Sequence, residues 1–294
     1  MLRRTFLQSL ALAQPQPGPL ETVFGELEDR VSGYLGVHAL NLVNRETLSY
    51  RAGEWFPMMS VAKVPVAMKI LMLIEARILE LNQMVKVEPE EFSLGNAPIN
   101  KKYPQGFVCT VRQLLEWSVR DSDNTAHDVL FRLCGGPSNI QPYMDQLRAA
   151  IRINRTEKQQ IQDFNREGIR AFEDGRDCAT PAGLVRALEA IEQRELFSEE
   201  NIALLIDLMT KTPSGASRIK LMLPNSARVY HKTGSGGDKD GFNLCTNDAG
   251  VFRLANGTPV AIAVMVKHSR RDLATREAAI ARSAFEVYRH WNKG

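Results

Sequence analysis

The sequence has few of the features that mark specialised protein classes. Its 294 residues contain only four cysteines, Cys109, Cys134, Cys178 and Cys245, and none of them forms a CxxC pair, so nothing supports a structural zinc site. A chain of this length buries a core without disulfides, and the cysteines are most simply small buried hydrophobic residues. The five histidines form no HxH or HxxxH pair, and no phosphate-binding glycine loop is present, so we expect neither a metal nor a cofactor.

Charge and long apolar runs are also limited. The formal net charge is only +3, which gives no basic surface for nucleic acid, and no nucleic-acid partner is expected. No stretch beyond the N-terminus approaches the roughly 20 apolar residues that span a bilayer, so we expect no stable membrane insertion. With 44% hydrophobic and 24% charged residues the composition is that of a globular protein, and a monomer is the default expectation.

The N-terminus resembles a targeting segment. Residues Met1–Arg4 are basic, Thr5–Ala13 are short and mostly apolar, and Ala11-Leu12-Ala13 is a small-residue cleavage pattern. We therefore predict a signal peptide over residues 1–13 and export to the periplasm or the medium. Arg3 and Arg4 also resemble a twin-arginine signal. A plain exposed tail is the alternative, because Gln8 and Ser9 interrupt the apolar stretch.

Hydrophobic periodicity predicts strands at both ends of the chain and helices between them. Apolar residues at helical spacing predict a helix in Leu20–Tyr34, and a hairpin follows at Val37–Val43 and Leu48–Ala52. Further helices are predicted at Ser60–Leu81, Val111–Val119, Thr125–Leu133, from Pro181 to Glu192, from Ser198 to about Met209, and at Leu273–Trp291. Later strands are predicted at Val229–Lys232, Gly250–Leu254 and Val260–Val266, with Asn256-Gly257 as a hairpin turn.

This order of elements predicts an α/β fold of the α+β sandwich type. An antiparallel sheet formed from both chain ends, with flanking helices, gives an α/β lobe over residues 20–55 and 215–294. An all-helical lobe over residues 56–214 is inserted between the two parts. We expect the active site in the cleft between the lobes.

A serine and a lysine stand three residues apart at the start of the first long helix. In Ser60-Val61-Ala62-Lys63 both side chains fall on one helix face, so the Lys63 amine reaches the Ser60 hydroxyl. A neighbouring base is what a serine needs to become a nucleophile. The same pattern recurs at 217–220, so taken alone it has no more weight than an ordinary helix or loop.

Two further triplets add to this pattern. Ser122-Asp123-Asn124 lies in a break between two predicted helices, where Ser122 can relay a proton and Asn124 can bind Lys63 and a substrate. The alternative is a simple N-cap for the following helix, and both uses are compatible.

The second triplet ends a predicted strand. Lys232-Thr233-Gly234-Ser235 offers a cation, two hydroxyls and a glycine along which a ligand can lie, the alternative being a solvated strand end.

Together the three motifs, in this order, resemble those of the class A serine β-lactamases. Phe56-Pro57-Met58-Met59, Thr110-Val111-Arg112 and Thr246-Asn247-Asp248-Ala249-Gly250 add to the resemblance, which extends from about Leu20 to Trp291. It implies hydrolysis of β-lactam antibiotics, small-molecule substrates, through an acyl-enzyme. Cysteines are absent at the family's common disulfide positions, where Ala67 and Leu115 stand, so no such disulfide is expected.

The resemblance also implies roles for individual residues. Ser60 attacks the lactam carbonyl, Lys63 or a water-linked Glu157 accepts its proton, Ser122 passes a proton to the leaving nitrogen, and Glu157 activates the hydrolytic water. The backbone N–H groups of Ser60 and Ser235 form the oxyanion hole. The residues expected to bind substrate are Asn124, Lys232, Thr233, Gly234 and Ser235. Arg218 is a further candidate, for which a role as an ordinary surface residue is equally open.

The segment from about residue 152 to 181 resembles the family's loop that carries the catalytic glutamate. Arg155 and Asp177 are expected to close its neck as an ion pair. The segment departs from the family pattern: it is several residues longer, Lys158 replaces a proline, and Ile161 replaces a water-holding asparagine. Gln160, or Asn165 if the loop is shifted, is the candidate for holding the water instead. If the alignment shifts, the candidates for the base are Asp163, Glu167, Glu173 and Asp174.

Two other functions use the same serine chemistry. A D,D-peptidase would act on cell-wall peptides, and a penicillin sensor would stay acylated because the altered loop holds no water. Turnover of a β-lactam without a lasting adduct distinguishes the hydrolase from both.

Overall fold

The computed structural model describes residues 18–194 and 197–292. The predicted signal peptide therefore lies outside the described residues. The helices are α1 (Pro19–Val31), α2 (Lys63–Glu75), α3 (Pro98–Lys102), α4 (Val111–Leu115), α5 (Asn124–Leu133), α6 (Pro137–Gln146), α7 (Glu157–Glu167), α8 (Pro181–Glu192), α9 (Glu199–Thr210) and α10 (Leu273–Trp291). The strands are β1 (Tyr34–Asn41), β2 (Thr47–Tyr50), β3 (Phe56–Pro57), β4 (Met84–Val87), β5 (Phe107–Thr110), β6 (Cys178–Ala179), β7 (Tyr230–Ser235), β8 (Asp238–Lys239), β9 (Phe242–Arg253) and β10 (Pro259–Ser269).

The main sheet joins the two ends of the chain, as the strand pattern predicts. Its order is β2-β1-β10-β9-β7, with β8 also paired to β9, and all of its pairs are antiparallel. The predicted α+β fold with an antiparallel sheet and flanking helices is confirmed. Asn256-Gly257 forms the turn between β9 and β10, where Gly257 has a φ of +85° and the Leu254 N–H donates to Thr258 O.

The sheet is buried on both faces, and β10 shows why. Val260, Ile262 and Val264 pack into the layer formed with α1 and α10, whereas Ala261 and Ala263 face the layer that contains α2 and α8. Successive side chains of a strand point to opposite faces, so an uninterrupted apolar strand fits only a sheet that is covered on both sides. β9 and β7, at one side of this sheet, end next to the helical region.

Helix caps follow the predicted sequence signals. Thr180 accepts a hydrogen bond from the Gly183 N–H at the start of α8, and Ser198 accepts one from the Asn201 N–H at the start of α9. The first long helix is shorter than predicted, because α2 ends at Glu75 and Arg77 adopts a φ of +56°. Val111–Val119 is helical only to Leu115 and continues as a π turn over residues 116–120.

None of the helices in the described ranges combines the length with the apolar character that a bilayer span requires.

Candidate active site

Ser60 and Lys63 meet at the junction of a 3-10 turn and a helix. Ser60 lies in the turn Met59–Ala62, and Lys63 begins α2, so the serine precedes the α-helix that the sequence predicts it to open. Residues three apart in a 3-10 turn are nearly eclipsed, and the Lys63 Nζ atom lies 2.8 Å from Ser60 Oγ. Ser60 is partly accessible whereas Lys63 is fully buried. The pair thus presents a hydroxyl to a ligand and keeps the amine behind it.

The Ser122 hydroxyl lies between two lysines. Lys63 Nζ is 3.4 Å from Ser122 Oγ and donates to Ser122 O at 3.0 Å, while Lys232 Nζ donates to Ser122 Oγ at 2.9 Å. Ser122 adopts a φ of +59°, a left-handed conformation that costs a non-glycine residue of the order of 1–3 kcal/mol. The Asn96 side chain holds this turn by donating to Ser122 O at 2.9 Å. The hydroxyl can therefore pass protons in either direction.

Asn124 is oriented by both ends of its amide. Its Oδ1 accepts from Lys63 Nζ at 2.7 Å, and its Nδ2 donates to Leu94 O at 2.8 Å. Asp123, not Asn124, is the N-cap of α5 and accepts from the Ala126 N–H at 3.0 Å. The two expected uses of this triplet, cap and site, are divided between neighbouring residues.

Lys232 lies in the middle of β7 and is fully buried. Besides Ser122 its Nζ contacts only Thr233 O, at 3.2 Å, among the described residues. Burial, and next the positive charge of Lys63, lowers the pKa of Lys232 to about 7. The ammonium is thus poised to exchange protons near neutral pH.

Glu157 reaches Lys63 from the first turn of α7. Its Oε1 atom lies 3.2 Å from Lys63 Nζ, and the side chain is 3% exposed. Burial favours a raised pKa for Glu157, but the positive charges around it, led by Lys63, outweigh this and the pKa lies below its usual value. The residue is a carboxylate at neutral pH and can accept a proton. Thr156 caps the helix, and Asp128 accepts the Glu157 N–H at 2.7 Å.

The neck of the 152–181 segment is closed by a buried ion pair. Arg155 Nε donates to Asp177 Oδ2 at 2.6 Å, and the backbone N–H groups of Asn154 and Arg155 donate to Asp177 Oδ1. A second carboxylate, Asp163, accepts from Arg155 NH1 at 2.8 Å. The structure thus brings together the two residues predicted to clip this segment, and it contains a helix, α7, where the sequence indicated a loop.

The other acids of this segment lie away from Lys63. Asp163 pairs with Arg155 and Arg166, Glu167 is exposed beside Arg166, and Glu173 and Asp174 are exposed. Among the described residues, Glu157 is the one carboxylate paired with Lys63.

The residues considered for holding the hydrolytic water differ in burial. Gln160 is buried on α7, its Nε2 donates to Arg155 O at 3.2 Å, and its Oε1 has no partner within the described ranges. Asn165 is exposed, and its backbone oxygen accepts from Lys239. Ile161 is partly buried and lies near Gly95. Of these three, Gln160 offers a free buried oxygen one helical turn from Glu157.

Arg218 is buried beneath the end of β7. Its Nε pairs with Glu277 at 3.0 Å, NH1 donates to Gly234 O at 3.1 Å, and NH2 donates to Ser235 Oγ at 2.8 Å. Thr233 Oγ1 lies 2.7 Å from Ser214 Oγ. Arg218 is therefore a buried residue and not a surface one, and it places a cation beside the Ser235 hydroxyl. The second serine-lysine pattern, at 217–220, places Ser217 in solvent.

Gly234 lets β7 approach the turn that carries Ser60. A Cβ atom at this position would lie 2.3 Å from Met58 O and 3.3 Å from Val61 N, so no larger residue fits without a shift. Asn247 on β9 fixes the same turn by donating to Pro57 O at 2.8 Å. These contacts hold β7 and β9 directly against the turn that carries Ser60.

Sequence reasoning missed several residues that support the site. Asn96, Asp128, Ser214, Asn247 and Glu277 hold the groups described above. Asn247 lies within the Thr246–Gly250 motif that adds to the family resemblance, so the sequence could have indicated it. The other four are placed by tertiary contacts, such as the 29-residue separation between Asp128 and Glu157, and no local pattern marks them.

Comparisons with known proteins agree with this geometry. A family model described as the β-lactamase enzyme family matches residues 19–291. The extended-spectrum β-lactamase PER-1 of Pseudomonas aeruginosa is 36% identical over 252 residues, covering 83% of this chain and 78% of that protein. β-Lactamase VEB-1 of the same organism is 30% identical over 251 residues, covering 84% and 82%.

Solved structures give the same result. A β-lactamase from Chitinophaga pinensis superposes with a TM-score of 0.87 at 30% identity, covering 94% of this chain and all of that one. The TLA-1 extended-spectrum β-lactamase also has a TM-score of 0.87, at 27% identity, covering 93% and 98%.

Proposed function

The chain belongs to the class A β-lactamase family and is a serine β-lactam hydrolase, and we propose that Ser60 is its nucleophile and Glu157 its deacylating base. The D,D-peptidase and sensor alternatives are not favoured by these relatives. The single observation that supports the assignment is the cluster at Lys63, whose Nζ lies 2.8 Å from Ser60 Oγ and 3.2 Å from Glu157 Oε1.

Acylation begins with removal of the Ser60 proton. Lys63 passes one proton to the Glu157 carboxylate, and its neutral amine then takes the proton from Ser60 Oγ as that oxygen bonds to the lactam carbonyl carbon. The developing oxyanion accepts hydrogen bonds from the backbone N–H groups of Ser60 and Ser235. The C–N bond breaks as Ser122 gives its proton to the ring nitrogen and is reprotonated by the lysines on either side of it.

Deacylation uses Glu157 a second time. After Lys63 has reprotonated Ser122, Glu157 returns its proton to the Lys63 amine and is again a carboxylate. It then accepts a proton from a water molecule, whose oxygen attacks the acyl carbon; the ester bond to Ser60 Oγ breaks, and Ser60 takes its proton back from Glu157 through Lys63. The unpartnered Gln160 Oε1, buried one turn along α7, supports a role for Gln160 in holding this water in place of the asparagine that Ile161 replaces.

The substrate carboxylate is bound at the β7 end of the groove. Lys232, Thr233 and Ser235 supply a cation and two hydroxyls there, Gly234 gives backbone access, and Arg218 adds a second cation through its contact with Ser235. The Asn124 amide, held on Lys63, faces the substrate amide from the opposite side.

The test is a pair of substitutions followed by turnover of a chromogenic cephalosporin and by intact-protein mass. Ser60→Ala should lose both adduct and turnover. In Glu157→Gln the Lys63 proton must go to water instead, so this variant should form the adduct more slowly and fail to release it. Glu167→Gln, an exposed glutamate at the other end of α7, is the matched control and should behave as wild type.

Turnover retained by Glu157→Gln would contradict the assignment of the base. A lasting mass increase in the wild-type protein would instead favour the sensor or the peptidase.

We also propose that the protein is exported and that it is a monomer. The basic start and the Ala11-Leu12-Ala13 pattern support cleavage after residue 13. Expression of the full chain should yield periplasmic protein beginning at Gln14, as read by N-terminal mass analysis, and light scattering should give the mass of a single chain.

A further inference from the structure

A buried histidine and aspartate lie behind the strand that carries Lys232. His231 and Asp248 are both fully buried, and His231 Nδ1 lies 2.8 Å from each carboxylate oxygen of Asp248. The Ile219 N–H donates to Asp248 Oδ2 at 3.2 Å, so the carboxylate also holds the segment next to Arg218. None of these contacts takes part in the chemistry described above.

The surroundings of the pair define its charge. His231 Nε2 is buried and has no hydrogen-bond partner in the described part of the chain. A protonated imidazole would leave a buried charged N–H unpaired, which costs more than leaving a bare ring nitrogen unpaired. This hydrogen-bond pattern fits a ring with its one proton on Nδ1 that donates to Asp248, and such a pair has the negative charge of the carboxylate.

Water is excluded from the pair by close packing. A Cβ atom on Gly215 would lie 2.8 Å from His231 Cε1 and 2.5 Å from Thr233 Cγ2, and one on Gly250 would lie 2.6 Å from His231 Cβ. Charges in such a dry region act more strongly on their neighbours than they do in water.

A functional cation lies on the same strand as His231. Lys232 follows His231 directly and is paired with Ala249, the residue after Asp248, in the β7–β9 register. We propose that the His231–Asp248 pair is a buried anion that keeps the Lys232 ammonium charged for substrate binding and for proton delivery through Ser122. The inference rests on the proposed role of Lys232 and makes His231 and Asp248 positioning residues.

Several charges act on Lys232 from the elements around it. Lys63 on α2 and the buried Arg218 lower the pKa of Lys232, whereas Glu157 on α7 and Asp248 on β9 raise it. Asp248 also acts on Lys220, whose pKa burial lowers and the Asp248 charge raises. Glu157 takes up and gives up a proton in the proposed reaction, whereas Asp248 takes no part in it.

The kinetic test is the pH profile of kcat/KM, which reports ionisation of the free enzyme. Asp248→Asn should move the alkaline limb about one pH unit or more toward lower pH, the effect expected for loss of a nearby opposite charge. Values on the alkaline side should fall about tenfold. An Asp248→Asn enzyme whose circular dichroism and melting match wild type, but whose alkaline limb stays in place, would overturn the proposal.

Two variants separate charge from packing. His231→Asn keeps a hydrogen-bond donor for Asp248 and leaves the Asp248 carboxylate charged. The alkaline limb of kcat/KM should therefore stay at the wild-type pH, even if kcat/KM itself falls. Lys232→Arg keeps a cation that does not deprotonate, and on that background Asp248→Asn should shift nothing. A shift in either variant would contradict the proposal.

A measurement on the unaltered enzyme covers the case in which Asp248→Asn does not fold. Nitrogen NMR of labelled histidine should show His231 as the neutral Nδ1–H tautomer across neutral pH. A doubly protonated ring would neutralise the pair and overturn the proposal. The NMR signal does not depend on turnover, so it tests this proposal alone. The proposed function is tested independently, and it would be contradicted if Ser60→Ala still hydrolysed the cephalosporin.

Discussion

The carboxylate that caps the α7 helix offers a sharp test of how this site is held. Asp128 on α5 accepts the backbone N–H groups of Glu157 at 2.7 Å and of Lys158 at 3.1 Å. Burial, with a smaller contribution from the Glu157 charge, raises the pKa of Asp128 from 3.8 to about 6, although its hydrogen bonds oppose this. The ionised Asp128 carboxylate thus lowers the stability of the folded protein, and an uncharged side chain at this position should remove that cost.

The sign and size of the effect follow from proton linkage. The folded protein binds the Asp128 proton more tightly than the unfolded chain, so this group reduces stability as the pH rises from about 4 to about 6 and by a constant amount above that. A shift of about two units corresponds to at most ~3 kcal/mol. Asn offers one acceptor oxygen where the carboxylate offers two, so Asp128→Asn also loses one of the two backbone hydrogen bonds, a cost of about 1 kcal/mol at every pH. The net gain at pH 8 should raise the melting temperature by about 5 °C.

The assay compares wild type and Asp128→Asn by thermal melting between pH 4 and pH 8. Wild type should melt slightly above the variant at pH 4, the variant should gain on wild type through pH 5 and 6, and the difference should then level off in favour of the variant. Asp145→Asn, an exposed carboxylate near the end of α6, is the control and should show no such gap. A variant that is less stable at pH 8, or a gap that does not change with pH, would refute the reasoning.

Three further substitutions test other contacts of the site. Arg155→Ala leaves a buried carboxylate unpaired and should cost about 3–5 kcal/mol in a urea titration, with faster proteolysis of the 152–181 segment. Glu277→Gln removes the counter-charge of Arg218 and should change KM for carboxylate-bearing β-lactams several-fold with little change in kcat. Gly234→Ala should lower kcat/KM at least about tenfold, because its Cβ would meet Met58 O at 2.3 Å.

Local chemistry in the sequence was enough to predict the centre of the site. The pairing of Ser60 with Lys63 depends on a three-residue spacing, which gives a short contact in a 3-10 turn as well as in an α-helix. The sheet was predictable for a similar reason, because apolar strands with a tight Asn-Gly turn admit few arrangements. Such features involve residues close together in the chain.

The parts that the sequence did not reveal depend on distant contacts. Strands β3 and β6 have two residues each, too few for any period to appear, and they form only because Phe56 pairs with Ala179 across more than a hundred residues. The family resemblance predicts a loop at residues 157–167. The segment is nevertheless the helix α7, which Thr156, Gln159 and the Asp128 carboxylate cap. Tertiary partners overrode the weak local signal.

The arrangement of charges explains which cation meets the substrate. Three cations are buried at the site, and two of them touch a carboxylate directly: Lys63 with Glu157 at 3.2 Å and Arg218 with Glu277 at 3.0 Å. Lys232 bonds to a hydroxyl and a backbone carbonyl instead. In the proposed function its carboxylate partner is the one that the substrate brings. Binding of that carboxylate must then raise the proton affinity of Lys232 by the same factor by which protonation of Lys232 strengthens binding.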